Sequence, residues 1–230
     1  MSRGVIASAF ICIGARAALS IDSYGAVRGN NTYAAAVANG RALWLAMQAA
    51  NGGSAGNDTR RVLIPASSAY YFLPYADILN VSSVTLHVDG ALLARTDNRS
   101  QWPNQTDGSC LNMISFVDAT DLAIVGNGVV EGQGDAWWVA VLEGEHDHRP
   151  NLLTATRCIR CTFSGITFRN SPQYHVLLTD VLHVTVNSLT VYVDVDGQVA
   201  MLRRHGYLED GRSVGPAANV TTFPLNTGTR

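Results

Sequence analysis

Two runs of this 230-residue chain carry the side chains best suited to chemistry: EGQGDAWWVAV at 131–141 and NSPQYH at 170–175. The amides of Gln133 and Asn170 donate and accept hydrogen bonds, and the imidazole of His175 does either. Trp137, Trp138 and Tyr174 add flat apolar faces, each with one polar tip. Rings that stack on the apolar faces of sugars, beside amides that bond hydroxyls, make a carbohydrate contact. These six residues are therefore the binding candidates. Adjacent side chains point apart in strand and helix alike, so the two rings are not expected in the same core: either one anchors the loop and the other faces a groove, or both anchor the insertion.

Other reactive groups carry less. Asp194 and Asp196 in DVDG lie two apart, as glycosidase or calcium ligands do, but the further ligands of an EF-hand loop are missing and the pair reads as a turn. His146 and His148 in GEHDHRP lack H-E-x-x-H spacing, which leaves a polar loop. Cys12 falls in the N-terminal leader, and Cys110, Cys158 and Cys161 remain. The C-x-x-C of CIRC has no second pair beside it, so Cys158 and Cys161 read as core thiols, with a bridge from Cys110 to one of them left open. No metal site and no cofactor are expected.

Such loops need a scaffold, and a repeat supplies it. DLAIVGNGVVEGQG from Asp121, CIRCTFSGITFRNS from Cys158 and VLHVTVNSLTVYVD from Val181 align without gaps. One column holds Leu122, Ile159 and Leu182, and another Ile124, Cys161 and Val184. Val129, Ile166 and Leu189 form a third, and Glu131, Phe168 and Val191 a fourth. The copies start 37 and 23 residues apart, and the 14-residue difference is an insertion that holds both tryptophans. Short period-2 runs between tight turns, repeating every 20–30 residues or so, indicate a solenoid. The leucine-rich consensus is missing, which leaves a parallel β-helix whose like positions stack coil on coil. Gln133, Asn170 and Val193 then share a column, and GQGDAWW, NSPQYH and DVDG leave one edge of the stack.

Upstream, RVLIPA, YYFLP, VTLHVDGALLA and NMISFV read as less regular strands. Regular coils are expected over about 112–197, while residues 198–222 fit no coil. From about 32 to 51 the spacing turns helical, with Val37, Leu43, Met47 and Ala50 on one side and Gly52-Gly53 as the stop. A solenoid needs a capping element, and this helix suits that place.

At 47% apolar the chain can bury a sizeable core, and with no lysine and a formal charge of −2 it carries no basic footprint for nucleic acid. The N-terminus has Arg3, an apolar run from Val5 to Ile13 too short to span a bilayer, and an A-x-A site at Ala15–Ala17. It reads as a secretory signal peptide over 1–18, leaving 19–230 as a partial β-helix domain, expected to be a monomer with no membrane contact beyond the signal. Sequons at Asn30, Asn57, Asn80, Asn98, Asn104 and Asn219 suit a secreted glycoprotein.

These motifs carry a family resemblance. Gly132-Gln133-Gly134, Trp137-Trp138, Arg149-Pro150, Cys158, Asn170-Ser171-Pro172 and His175 follow in the order of the polygalacturonase family, glycoside hydrolase family 28, with Glu131 in place of the usual Asp. SIDSYGAVRGN is similar to the family's opening. The resemblance implies an all-β, right-handed parallel β-helix of the pectin lyase-like type with an N-terminal capping α-helix. It also implies a pectic polysaccharide partner and inverting hydrolysis of galacturonan without a cofactor. Inversion needs a general acid and a general base. The family takes them from Asn-Thr-Asp-Gly and a later Gly-Asp-Asp, and adds His-Gly and Arg-x-Lys motifs. Here Asn226-Thr227 is followed by Gly228 where the Asp belongs, and His205-Gly206 precedes that position. No catalytic residue is assigned, and the chain is expected to be a truncated, inactive member. Two alternatives stand beside this reading: a non-catalytic carbohydrate-binding or decoy β-helix, and a calcium-dependent pectate lyase using Asp194 and Asp196.

Overall fold

The structure is a computed structural model that describes residues 18–53, 58–145 and 149–209 and the backbone of 212–213. The leader through residue 17, Asn57, His146, His148, Asn219, Asn226-Thr227 and Gly228 lie outside the described residues.

The strands of the coils, two to four residues long, pair in parallel with the like strand of the next coil, while Leu208–Glu209 and Arg212–Ser213 form a separate antiparallel pair. Leu19–Ser20, Arg61–Ile64, Thr85–Val88, Ala123–Val125, Thr162–Ser164 and Thr185–Asn187 form the first sheet. Ala69–Phe72, Ala91–Ala94, Val129–Glu131, Thr167–Arg169 and Thr190–Tyr192 form the second, and Ile78–Leu79, Ile114–Val117, Leu153–Thr156 and Val176–Thr179 the third. The chain visits first, second and third sheet in turn and then climbs, which is a parallel β-helix. The upstream segments are thus coils as regular as the later ones.

Because side chains alternate across a strand, every second residue enters the stack. Val62, Leu86, Ile124, Phe163 and Val186 form one inward column, and Tyr70, Leu92, Val130, Phe168 and Val191 another. Phe163 and Phe168 are each 1% exposed, whereas Val186 and Val191 on the last described coil are 55% and 57% exposed.

The register corrects one expectation. Between the second and third copies the offset of 23 holds, with Thr162 on Thr185 and Thr167 on Thr190. Between the first and second it does not: Ile124 pairs with Phe163 rather than Cys161, and Val130 rather than Glu131 pairs with Phe168. Thr120, not Leu122, bridges Ile159. The turn after Val125 runs through Gly126, Asn127 and Gly128, while its counterpart holds only Gly165 and Ile166. A one-residue slip reverses the face of a strand, so Val130 enters the core at 1% exposure while Val129 does not.

The corner between the third and first sheets repeats closely. Asn80, Asp118, Arg157 and Asp180 all have φ between 51° and 57°, and so do Ser83, Asp121, Arg160 and His183. Between each pair one residue turns inward, namely Val81, Ala119, Cys158 or Val181. Cys158 is therefore a corner ladder residue and Cys161 lies just before the strand Thr162–Ser164, 0% and 1% exposed and unbridged.

Helix α1 (Tyr33–Asn51) lies over the first coil. The Thr32 hydroxyl accepts from the Ala35 amide, and Gly52 follows the last turn. Ala36, Leu43, Met47 and Ala50 face the sheets, and Gly40 sits so close that a Cβ would meet the Leu73 carbonyl oxygen at 1.8 Å. Asn39, 0% exposed, accepts from the Val27 amide at 2.6 Å and donates to the carbonyls of Val27 and Tyr71. It ties the cap to the first coil.

Candidate functional site

The second sheet ends in three turns that lie side by side. Gly132 donates to Arg169, Gly134 to Asn170, and Asn170 to Tyr192, all through the backbone. Gln133 and Asn170 are left-handed, with φ of 44° and 46°. Gly132 is required at its place, since a Cβ there would lie 2.5 Å from the Asn170 carbonyl oxygen. The inserted segment is a short helix rather than an open loop. This helix, α2 (Asp135–Leu142), packs beside α3 (Val195–Arg204), which occupies part of the stretch that fits no coil.

Together the turns border an open cavity of about 430 Å³ lined by Thr96, Asp97, Glu131, Gln133, Asp135, Asn170 and Asp194. Glu131 is its organiser. One oxygen accepts from the Gln133 amide at 3.0 Å, and the other accepts from Asn170 Nδ2 at 3.3 Å and faces Arg169 at 3.4 Å. Asn170 Oδ1 accepts from the Asp194 amide at 2.8 Å, and the Thr96 hydroxyl donates to the Gln133 carbonyl at 2.8 Å. Partial desolvation first, and then the neighbouring Asp194 and Glu131, push the Asp135 carboxyl above its ordinary value against the pull of Arg204, although 54% of its side chain stays exposed.

Of the six binding candidates, Gln133 and Asn170 line this cavity. Of the two arrangements expected for the tryptophans, the one with a ring facing a groove is not met, because both are buried. Trp137 is 5% exposed and joins the main core, edge-on to Trp102 at 5.9 Å. Trp138, 1% exposed, sits with Val139, Leu142, Met201 and Leu202 in a second cluster under α2 and α3, its Nε1 donating to the Ser171 carbonyl at 3.1 Å. His175 is 9% exposed, and its Nε2 accepts the Ser171 amide at 3.3 Å. Burial pulls its pKa down to about 4, only partly offset by a hydrogen bond to the Tyr192 backbone, so it is a neutral structural imidazole near pH 7. Tyr174 is half-buried at the far end of the same turn. Its amide donates to Asn151 Oδ1, and its carbonyl accepts from the Ser171 hydroxyl.

The sequence reading missed Glu131, Asp97 and Thr96 as cavity residues. It passed over Arg149 as well, whose Nη1 donates to the Pro172 carbonyl at 2.7 Å. The one available signal was column arithmetic at Glu131, which the register error displaced. Asp194 caps α3, accepting from the Gly197 amide at 2.9 Å, and Asp196 lies in that helix's exposed first turn. The pair is thus helix N-terminal acid, and among the described residues no trio of His, Cys, Asp or Glu is placed to hold a metal ion. Asn30, Asn80, Asn98 and Asn104 are exposed. No described helix is long and apolar enough to cross a membrane.

A coil stack whose loop edge presents amides and carboxylates in a polar cavity is a fold and surface suited to saccharides. Comparison with known proteins is specific. The model of the Glycosyl hydrolases family 28 matches residues 58–221, and the chain belongs to that family. It is 26% identical over 168 residues to a probable polygalacturonase of Arabidopsis thaliana, covering 72% of this chain and 32% of that protein. It is 28% identical over 136 residues to a probable endo-xylogalacturonan hydrolase A of Aspergillus flavus, covering 58% of this chain and 32% of that one. The chain thus spans about a third of the length of these relatives. Among solved structures, a "putative glycosyl hydrolase" of Parabacteroides merdae shares the fold with a TM-score of 0.54 at 18% identity, covering 75% of this chain and 73% of that one.

Proposed function

We propose that the protein serves the degradation of pectic galacturonan outside the cell, as the capped coil stack of a polygalacturonase-type hydrolase. The observation that carries this reading is the cavity at the loop edge. The Gln133 side-chain amide offers a donor and an acceptor, and Asp194 keeps an oxygen beyond the one that caps α3, while Glu131 and Asn170 hold each other in place around a space of about 430 Å³. Vicinal hydroxyls of a sugar ring pair with such donors and acceptors. Family membership and the polygalacturonase and xylogalacturonan hydrolase relatives support the same substrate class. Secretion accords with the leader and the exposed sequons.

The chemistry is a separate matter. Inverting hydrolysis requires two carboxyls about 6.5–9.5 Å apart around the scissile bond. The family resemblance puts the first of them at Gly228, whose missing side chain neither donates nor accepts a proton. This chain is therefore expected to bind polygalacturonate without cleaving it. Reducing-end release from polygalacturonate by the purified chain is the test, with binding followed in parallel. Turnover that disappears in Asp135→Asn or Asp194→Asn would overturn this division of labour and place an acid–base pair in the cavity.

A further inference from the structure

The cavity and its surroundings differ in charge. Asp97, Glu131, Asp135 and Asp194 all line it. The cations that reach them are already used: Arg95 lies 2.8 Å from Asp97, Arg169 3.4 Å from Glu131, and Arg204 3.7 Å from Asp135. Four carboxylates with three arginine partners leave a net negative charge and, among the described residues, no free cation at the cavity, so the site disfavours an anionic group while admitting neutral hydroxyls. A uronic-acid unit therefore has its ring hydroxyls, not its carboxylate, in this cavity.

The same turn offers a place for the carboxylate on its other flank. Asn170 faces the cavity, and two residues on, the Pro172 carbonyl takes Arg149 Nη1 at 2.7 Å. Arg149 is half-buried and has no carboxylate within 4.0 Å among the described residues. A guanidinium carries five donors and matches a carboxylate with a pair of parallel bonds. One donor is committed to Pro172, which fixes the group without neutralising it. Its surroundings lower the Arg149 pKa through burial, with Tyr174 the neighbour that acts in the opposite direction. A half-buried cation that no described carboxylate pairs with is costly, and an incoming carboxylate relieves that cost.

We propose that Arg149, held on the Pro172 carbonyl beside Tyr174, is the specificity residue that takes the free carboxylate of a uronic-acid unit, while the acidic cavity across the turn takes only hydroxyls. The site thereby distinguishes the acid form of the polymer from its methyl ester. This assignment rests on the pectic reading above.

The experiment is calorimetric titration of the full chain with oligogalacturonate and with the same oligomer fully methyl-esterified. The unaltered chain is expected to bind the acid form roughly tenfold more tightly, about 1.4 kcal/mol. Arg149→Gln removes that preference and leaves ester binding unchanged, whereas Arg149→Lys keeps a reduced preference because it keeps the charge. Circular dichroism confirms that each variant is folded. Equal binding of the two oligomers by the unaltered chain overturns the proposal without need of a variant, and so does a folded Arg149→Gln that still prefers the acid. Failure of the folded, unaltered chain to bind either oligomer overturns the pectic reading itself.

Discussion

The column Tyr70, Leu92, Val130, Phe168 and Val191 allows a paired test, because two of its members share a direction and differ in cover. Phe168 is 1% exposed between Val130 and Val191. Truncation to alanine removes a ring from a packed interior and leaves a cavity, which costs about 3–5 kcal/mol. Val191 is 57% exposed on the last described coil. Valine to alanine removes two methyl equivalents, about 1.6 kcal/mol if fully buried, and with less than half of the side chain covered the cost falls to about 0.7 kcal/mol. Urea unfolding followed by tryptophan fluorescence and by circular dichroism measures both, and coincident transitions license the two-state treatment. The reasoning fails if Phe168→Ala costs less than about 1 kcal/mol, since a packed stack would not tolerate the loss. If Val191→Ala costs as much as Phe168→Ala, the last coil is covered in solution and the exposure is not that of the free protein.

Three further outcomes are expected. Asn39→Ala strands the Val27 amide and the Val27 and Tyr71 carbonyls beneath α1 and should lower unfolding free energy by about 2–4 kcal/mol, read from the same urea midpoints. His175 has a folded pKa of about 4 against an ordinary 6.5, so only the unfolded chain takes up this proton between those values. Stability is full above pH 6.5, falls as pH drops toward 4 and levels below it. His175→Gln should flatten that part of the stability-versus-pH curve, and a variant with the slope intact would show that another group is responsible. Expressed in a eukaryotic secretory host, the chain should lose mass on treatment with an N-glycosidase, with Asn30, Asn80, Asn98 or Asn104 among the modified sites; an unchanged mass would contradict secretion with glycosylation.

The β-helix was legible because its period is written twice over, in alternating apolar residues and in turns of Asn, Gly and Ser. Register was legible only where the coils match in length. Copies two and three hold no insertion, and Thr162 falls on Thr185 as aligned. The extra turn residue among Gly126, Asn127 and Gly128 broke the alignment of the first copy. In the first sheet the error was two residues, which preserves face, so Leu122 and Ile124 are buried as expected. In the second sheet it was one residue, and the core place given to Val129 belongs to Val130. The tryptophans show a different limit. Adjacent rings do point apart, but a second apolar cluster under α2 and α3 receives Trp138 while the main core receives Trp137. The signals for α3 were present in Asp194 as a cap and Arg203 and Arg204 at the far end, yet DVDG by itself reads equally well as a turn. Arg149 stood in the sequence only as half of an Arg-Pro motif. That no carboxylate among the described residues pairs with it is a three-dimensional fact that spacing does not encode.

The repeated corner between the third and first sheets has a consequence for misfolding. Solenoid coils resemble one another, so a strand can pair with the wrong neighbour at small cost in apolar contact. At this corner the outward residues are Asn80, Asp118, Arg157 and Asp180 in one row and Ser83, Asp121, Arg160 and His183 in the other. Arg157 grips Asp118 and Arg160 grips Asp121, each through two nitrogen–oxygen bonds of 2.7–2.9 Å. Exposed as they are, these pairs add little to equilibrium stability. Their value lies in order. If the third copy skipped the second and stacked on the first, Asp180 would come to rest on Asp118, and both arginines would lose their partners. The rows act as an address that each new coil must match while the chain winds.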